Sequence, residues 1–175
     1  MKKVFLSLVA FATTLVASAQ VYVSGEVGFW NNDDDDKTSV SIRPEVGYIL
    51  SEDWAIGTTL GWDYLKIKEN KVNAFIVAPY ARYTCLKLGS VSLFLDGGFT
   101  FSTSKMKGAE ESGNAWEIGV KPGISIKLAE KFNFVSHIGF IGYCDKDDNF
   151  AGSASKGFGL NLDATNVTFG ILYNF

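Results

Sequence analysis

The 175-residue sequence has one histidine, two cysteines and three prolines. Its 16 basic residues nearly balance its 19 acidic ones, so the formal net charge of -3 gives no basic field that would attract nucleic acid. The sequence also lacks zinc-ligand spacing, a phosphate-binding loop and a nucleotide fingerprint. We therefore expect no nucleic-acid partner, no cofactor and no catalytic metal site.

Long hydrophobic runs are also missing, except at the start of the chain. Lys2 and Lys3 precede an apolar run over Val4–Val16, and Ala17–Ala19 forms an A-x-A cleavage signal. The run is short for a bilayer span, so we predict a cleaved secretory signal peptide at residues 1–19 and a mature domain at residues 20–175. An uncleaved anchor helix is the alternative. Because no later apolar stretch reaches the length of a membrane helix, any membrane role beyond residue 19 depends on strands.

From residue 21 onward, hydrophobic residues recur with a period of two, which is typical of β-strands. Eight segments show it: Val21–Trp30, Val40–Leu50, Trp54–Tyr64, Ala74–Cys85, Val91–Phe101, Trp116–Leu128, Phe132–Tyr143 and Val167–Phe175. Pro44, Pro79 and Pro122 recur at the same point of every second strand, which argues against a simple open sheet. Short connections (51–53, 86–90, 129–131) alternate with longer polar ones (31–37, 66–72, 103–113, 144–155). This predicts an all-β fold, an eight-stranded antiparallel up-and-down transmembrane β-barrel.

The two faces of these strands differ in bulk. One face carries most of the glycines together with charges, and the other carries large apolar and aromatic residues. An eight-stranded barrel has a narrow interior, so we expect the glycine face inside and the bulky face against lipid. A soluble lipocalin-like barrel is the alternative. Aromatic girdles are expected at both ends, from Trp30, Trp62 and Trp116 at the long loops and from Trp54, Tyr83 and Tyr173 at the short turns. In the seventh strand the pattern predicts Phe140 outside, and His137 and Tyr143 inside.

The predicted interior holds charges of both signs. They are Glu26, Arg43, Glu45, Asp63, Arg82, Asp96, Glu117, Lys121 and Lys127. Buried charges are tolerated when they are paired and hydrogen-bonded, so we predict a network of ion pairs that fills the lumen. A narrow channel for small solutes is the competing interpretation.

The last eight residues, TFGILYNF, carry a resemblance. With polar Thr168, then Gly170, Tyr173 and terminal Phe175, they resemble the assembly signal of outer-membrane barrels. Together with the signal peptide and eight strands, the chain resembles the small outer-membrane β-barrel domain family of the OmpA or OmpX type, which is porin-like. The resemblance implies a Gram-negative outer-membrane location, outer-membrane lipids as surroundings, periplasmic chaperones during export and the barrel assembly machinery as partners. It implies a non-enzymatic structural or surface-interaction role, with a possible surface ligand for the external loops.

Cys85 and Cys144 are expected at opposite rims of the barrel, too far apart for a disulfide. His137 is the only histidine, and its neighbour Ser136 points to the opposite strand face, which argues against a membrane-embedded hydrolase. Asp33–Asp36 is either a solvated, self-repelling loop or a calcium site, since calcium prefers carboxylate oxygens.

Overall fold

The structure, a computed structural model, describes residues 20–32, 37–109, 111–151, 156–161 and 168–175. The predicted signal peptide and the Asp33–Asp36 run lie outside these described residues. In the part of the chain that is described, no helix is long and apolar enough to cross a membrane.

The described chain folds into ten antiparallel strand segments. They are β1 (Val21–Asn32), β2 (Lys37–Ile49), β3 (Trp54–Ile67), β4 (Asn70–Leu88), β5 (Val91–Met106), β6 (Gly113–Lys127), β7 (Phe132–His137), β8 (Phe140–Lys146), β9 (Gly157–Asn161) and β10 (Thr168–Asn174). Segments β7 and β8 both pair with β6, while β9 pairs with β8 and β10 pairs with β7. Segments β7 and β8 together therefore occupy the place of the seventh predicted strand, and β9 and β10 together occupy that of the eighth. Pairing of β5 with β6 and of β1 with β10 closes the eight-stranded barrel. The predicted fold class is confirmed.

Several strands run beyond their predicted ends. Strands β3 and β4 meet at a turn of only Lys68 and Glu69, so the predicted long connection over 66–72 is wrong. The polar residues there continue the strands above the apolar band. Segment β9 was not predicted either, since its sequence GFGLN alternates glycine with large residues too briefly to stand out.

The recurring prolines lie where a strand is unpaired on one side. Pairing of β2 with β3 is interrupted between Ile42 and Glu45, and Pro44 lies in this gap. Pairing of β4 with β5 is interrupted in the same way around Pro79. Pro122 lies between the part of β6 that pairs with β8 and the part that pairs with β7. Because proline has no N–H to donate, each falls where the ladder does not require one.

Gly139 shifts the faces of the seventh strand. Its φ of +81° is a left-handed conformation that favours glycine, and it separates β7 from β8. After the shift Phe140 points inward, where its ring lies against Gly119 and Gly142. Tyr143 points outward, with its ring centroid 5.5 Å from that of Trp116. The predicted positions of Phe140 outside and Tyr143 inside are therefore wrong.

Glycines make room for aromatic rings inside the barrel. Opposed residues on neighbouring strands form one continuous row: Tyr22, Gly47, Gly57, Tyr80, Gly98, Gly119, Gly142 and Gly159. The Tyr22 ring lies against Gly47, and the Tyr80 hydroxyl lies over Gly57. A Cβ atom at either glycine would collide with a tyrosine, so the glycine face accommodates large side chains within a narrow lumen.

The opposite face of the strands carries large apolar side chains that are exposed. Val27, Phe29, Phe75, Phe158 and Phe169 are among its most exposed residues. Aromatic pairs lie at both ends, with Trp54–Tyr83 and Phe132–Tyr173 near the short turns and Trp62–Tyr64 and Phe99–Trp116 near the other end. The Trp30 side chain lies outside what the structure describes. Apolar bands flanked by aromatic girdles are the outer surface of a transmembrane barrel.

Candidate functional site

Arg82 lies at the centre of the lumen. Strand β4 places its side chain inward, opposite Asp96 on β5. Nε and Nη2 donate to the two carboxylate oxygens of Asp96, each at 2.7 Å, and Nη2 also lies 3.6 Å from Glu45 Oε1. The guanidinium carbon is 4.1 Å from the Phe94 ring centroid. All three charged residues are buried, so the pair has the bidentate geometry that a desolvated arginine requires.

Two tyrosines extend this cluster across the lumen. The hydroxyls of Tyr22 and Tyr80 are 2.5 Å apart, and the Tyr80 hydroxyl donates to Glu45 Oε1, also at 2.5 Å. Tyr22 is almost completely buried and packs with Ala55, Phe94 and other inward residues of the short-turn half. Strands β1, β2, β4 and β5 are thereby joined through their side chains.

His137 joins the other side of the barrel to the same cluster. Its Nε2 lies 2.8 Å from Asp96 Oδ2, and its Nδ1 lies 3.1 Å from Glu26 Oε1. Thr168 on β10 donates its hydroxyl to the same Glu26 oxygen at 2.9 Å. Because both ring nitrogens contact carboxylates, neither is free to activate Ser136. We call Tyr22, Glu26, Glu45, Tyr80, Arg82, Phe94, Asp96, His137 and Thr168 the lumen cluster.

The remaining predicted interior charges lie outside the lumen cluster. Arg43 donates to Asp63 through Nε at 3.4 Å and Nη2 at 2.9 Å, and this partly buried pair lies closer to the loop end. Glu117 accepts a hydrogen bond from the Cys144 thiol at 3.5 Å. The Lys121 amine is 5.9 Å from the Phe140 ring centroid, although Lys121 faces Asp96 in the register. Lys127 is exposed at the end of β6 and is not brought into the cluster.

Several members of the lumen cluster are not among the predicted interior charges. Tyr22 and Phe94 occupy inward positions of their strands, but as aromatics they do not fit a face identified by glycine and charge. The alternation pattern predicts His137 inside the barrel, but its role as a bridge between Glu26 and Asp96 depends on barrel closure. The alternation of inward and outward side chains along β1 and β5 is the sequence feature that identifies Tyr22 and Phe94 as inward-facing.

The residues of the terminal motif all lie on β10 or just after it. Gly170 is buried opposite Glu26, where a Cβ would lie 3.0 Å from the Glu26 side chain. Tyr173 lies on the outside, with its ring near those of Phe132 and Phe175. The Phe175 N–H donates to the Val21 carbonyl at 3.2 Å, so the end of the chain helps to close the barrel. Their role as an assembly signal stays a prediction.

Part of the loop end folds over the barrel rim. The Ala151 N–H donates to the buried Ser104 hydroxyl at 2.9 Å, and Asp147 accepts from the Asn114 N–H at 3.0 Å. A Cβ at Gly113 would collide with the backbone of Asn149 and Phe150. The described part of the β8–β9 connection is therefore held against β5 and β6.

Both cysteines are free thiols with different surroundings. Cys85 is exposed at a bulge in β4, and its thiol donates to the Leu93 carbonyl at 3.3 Å. Cys144 is buried and faces the lumen.

The two thiols are expected to differ in reactivity towards maleimide. In unfolded protein that has not been reduced, maleimide should label both thiols. In the folded barrel it should label Cys85 far faster than Cys144, because only Cys85 is exposed. Mass spectrometry counts the adducts. An intact disulfide in the unreduced protein would contradict the topology.

The described residues give little support for a metal site or for a ligand pocket inside the barrel. Among the described residues, no group of three or more histidine, cysteine or acidic side chains is arranged to hold a metal ion. An apolar groove of about 540 Å³ lies on the outer wall around Ile118, Ile141, Tyr143 and Phe158, where it faces lipid.

Comparison with known proteins agrees with this architecture. The model of the outer membrane protein beta-barrel domain family matches residues 4–175. Neisserial surface protein A has a similar structure, with a TM-score of 0.52, 13% identity and coverage of 89% of this chain and 96% of that one. A de novo designed transmembrane β-barrel (TM-score 0.42, 12% identity, coverage 90% and 96%) and OmpT of Vibrio cholerae (0.39, 17%, 89% and 52%) are more distant. No curated protein shows a significant sequence match.

Proposed function

Since the chain belongs to the outer membrane protein beta-barrel domain family, we propose that it is a non-enzymatic scaffold of the outer membrane with a closed lumen and a surface-interaction role at its loop end. The observation that carries this proposal is the lumen cluster. Six strand segments contribute to it. Tyr22, Tyr80 and Glu45 form one hydrogen-bonded chain, and a second chain runs through Arg82, Asp96, His137, Glu26 and Thr168. The ion pair between Arg82 and Glu45, at 3.6 Å, joins the two chains inside the lumen.

The cluster supports a plug better than a channel. An ion path needs groups that release water and ions easily, whereas Arg82 and Asp96 satisfy each other and are almost fully buried. The Arg43–Asp63 pair is about one-third exposed, so water can enter the lumen from the loop end as far as this pair. A narrow channel is the alternative function, and that vestibule is the observation in its favour.

The proposed surface-interaction role is supported by the structure of the loop end. The rim contact between Ala151 and Ser104 gives the described part of the β8–β9 connection a defined shape. A defined loop on a rigid barrel is the arrangement in which barrels present binding surfaces. Neisserial surface protein A, which shares the fold, bears the name of a surface protein.

A planar-bilayer recording tests the closed lumen. We expect refolded wild-type protein to produce no stable current steps, because the lumen cluster leaves no continuous water path. Arg82→Ala removes the central side chain, and Lys87→Ala on the same strand is a matched control with an exposed amine. Heat-dependent gel mobility verifies that each inserted variant is folded. Stable steps from the wild type, altered in Arg82→Ala but not in Lys87→Ala, would replace the plug with a channel.

A further inference from the structure

The outer ends of β3, β4 and β5 carry a row of lysines. Lys66 of β3 lies directly opposite Lys71 of β4, and the N–H of Lys107, just after β5, donates to the Lys71 carbonyl at 2.7 Å. Lys66 shares its strand face with Trp62 and Tyr64, and Lys71 shares its face with Phe75, so both belong to the outer wall. We call Lys66, Lys71 and Lys107 the lysine row.

The row is unfavourable unless an anion neutralises it. Like charges directly opposite each other destabilise a strand pair. Among the described residues, no carboxylate lies within 4 Å of any of these three amines. Glu69 is in the adjoining turn, and Glu111 accepts a hydrogen bond from Asn149 instead. Within the described part of the chain, the charge of the row is therefore not neutralised by an ion pair.

The wall just below the row is aromatic and apolar. Trp62 and Tyr64 stack with ring centroids 6.2 Å apart, and Trp62 lies opposite Phe75, which is 60% exposed. Positive charge above an aromatic band is the outer surface that a lipid meets at the boundary between its headgroup and its acyl chains.

We propose that the lysine row binds the phosphate-bearing headgroup of a lipid in the leaflet at the loop end, with its acyl chains against Trp62 and Phe75. Lysine is a common point-charge partner of phosphate, and clustered lysines at a membrane surface select anionic lipids. Three adjacent strands spread the amines over about 10 Å, which suits a headgroup with more than one phosphate.

Cardiolipin, which carries two phosphates, is the probe. The full chain is refolded in a neutral detergent, and cardiolipin affinity is measured by native mass spectrometry for the wild type and for a triple variant, Lys66→Gln, Lys71→Gln and Lys107→Gln. We expect the triple variant to bind about a hundredfold more weakly, since each lysine near an anionic lipid contributes about a fivefold factor. Arginine at the same three positions keeps the charge and is expected to keep the affinity.

A matched control removes the same charge at the other end of the barrel. Lys87→Gln, Lys127→Gln and Lys131→Gln are expected to leave cardiolipin affinity unchanged. Equal losses in both triple variants would show attraction to net charge alone and would overturn the proposal, as would equal binding by wild type and row variant. Displacement of cardiolipin by inorganic phosphate at a similar concentration would assign the row to a soluble anion instead. Heat-dependent gel mobility verifies folding, which none of these substitutions is expected to affect because none lies in the lumen cluster.

Discussion

Arg82→Ala is expected to lower the free energy of unfolding by about 3–5 kcal/mol, the usual result of removing one partner of a buried ion pair. The substitution leaves Asp96 and Glu45 buried without the cation that bridges them at 2.7 and 3.6 Å. It also removes the group that packs on the Phe94 ring. Urea unfolding in lipid vesicles, followed by the gel mobility of the folded barrel, measures the change.

Lys87→Ala is the matched control for this prediction. Lys87 lies on the same strand and pairs with Asp53 at 2.8 Å, but both side chains are about half exposed. Exposed pairs contribute about 1 kcal/mol or less, because water solvates both partners well. A small and equal loss in the two variants would mean that the lumen cluster does not stabilise the barrel.

A double-mutant cycle separates the ion pair from its surroundings. Once Asp96 has been replaced by Asn, removal of Arg82 no longer leaves that carboxylate uncompensated, so the arginine substitution should cost less than in the wild type. Additive losses would instead place the contribution of Arg82 in its contacts with Glu45 and Phe94.

The strand pattern was enough to predict the architecture and the membrane-facing surface. Period-two alternation identifies faces without any knowledge of pairing, and the narrow lumen of eight strands then decides which face is inside. Alternation along each strand and the small size of glycine are also enough to predict Arg82, Asp96 and Glu45 in the interior.

Pairing within the lumen depends on information that a single strand does not carry. Asp96 lies opposite both Arg82 and Lys121 in the register. Only the structure shows that Asp96 pairs with Arg82, which donates two hydrogen bonds to it. The His137–Glu26 contact joins strand segments that both pair with β10, so it depends on closure of the barrel. Gly139 could not be distinguished in sequence from the lumen glycines, yet its positive φ reverses the faces of Phe140 and Tyr143.

A second large effect is expected from one methyl group in the lumen wall. Gly119 and Gly142 face each other on β6 and β8, with the Phe140 ring lying over both. A methyl group at Gly119 would collide with the carbonyl oxygen of Ile141, the Phe140 ring and the Gly142 backbone. Because the backbone cannot move aside as a side chain can, we expect Gly119→Ala to lower the free energy of unfolding by about 3 kcal/mol, the upper range for overpacking.

Gly97→Ala is the control that isolates the collision. Gly97 lies opposite Val120, the neighbour of Gly119, and a Cβ there would meet nothing within 4 Å. Both substitutions restrict the unfolded chain equally, which by itself stabilises the folded state by about 0.4–1 kcal/mol. Gly97→Ala should therefore be neutral or slightly stabilising in the same urea titration. If Gly119→Ala were equally harmless, the close approach of β6, β8 and Phe140 would be wrong, and with it the inward position that Gly139 gives to Phe140.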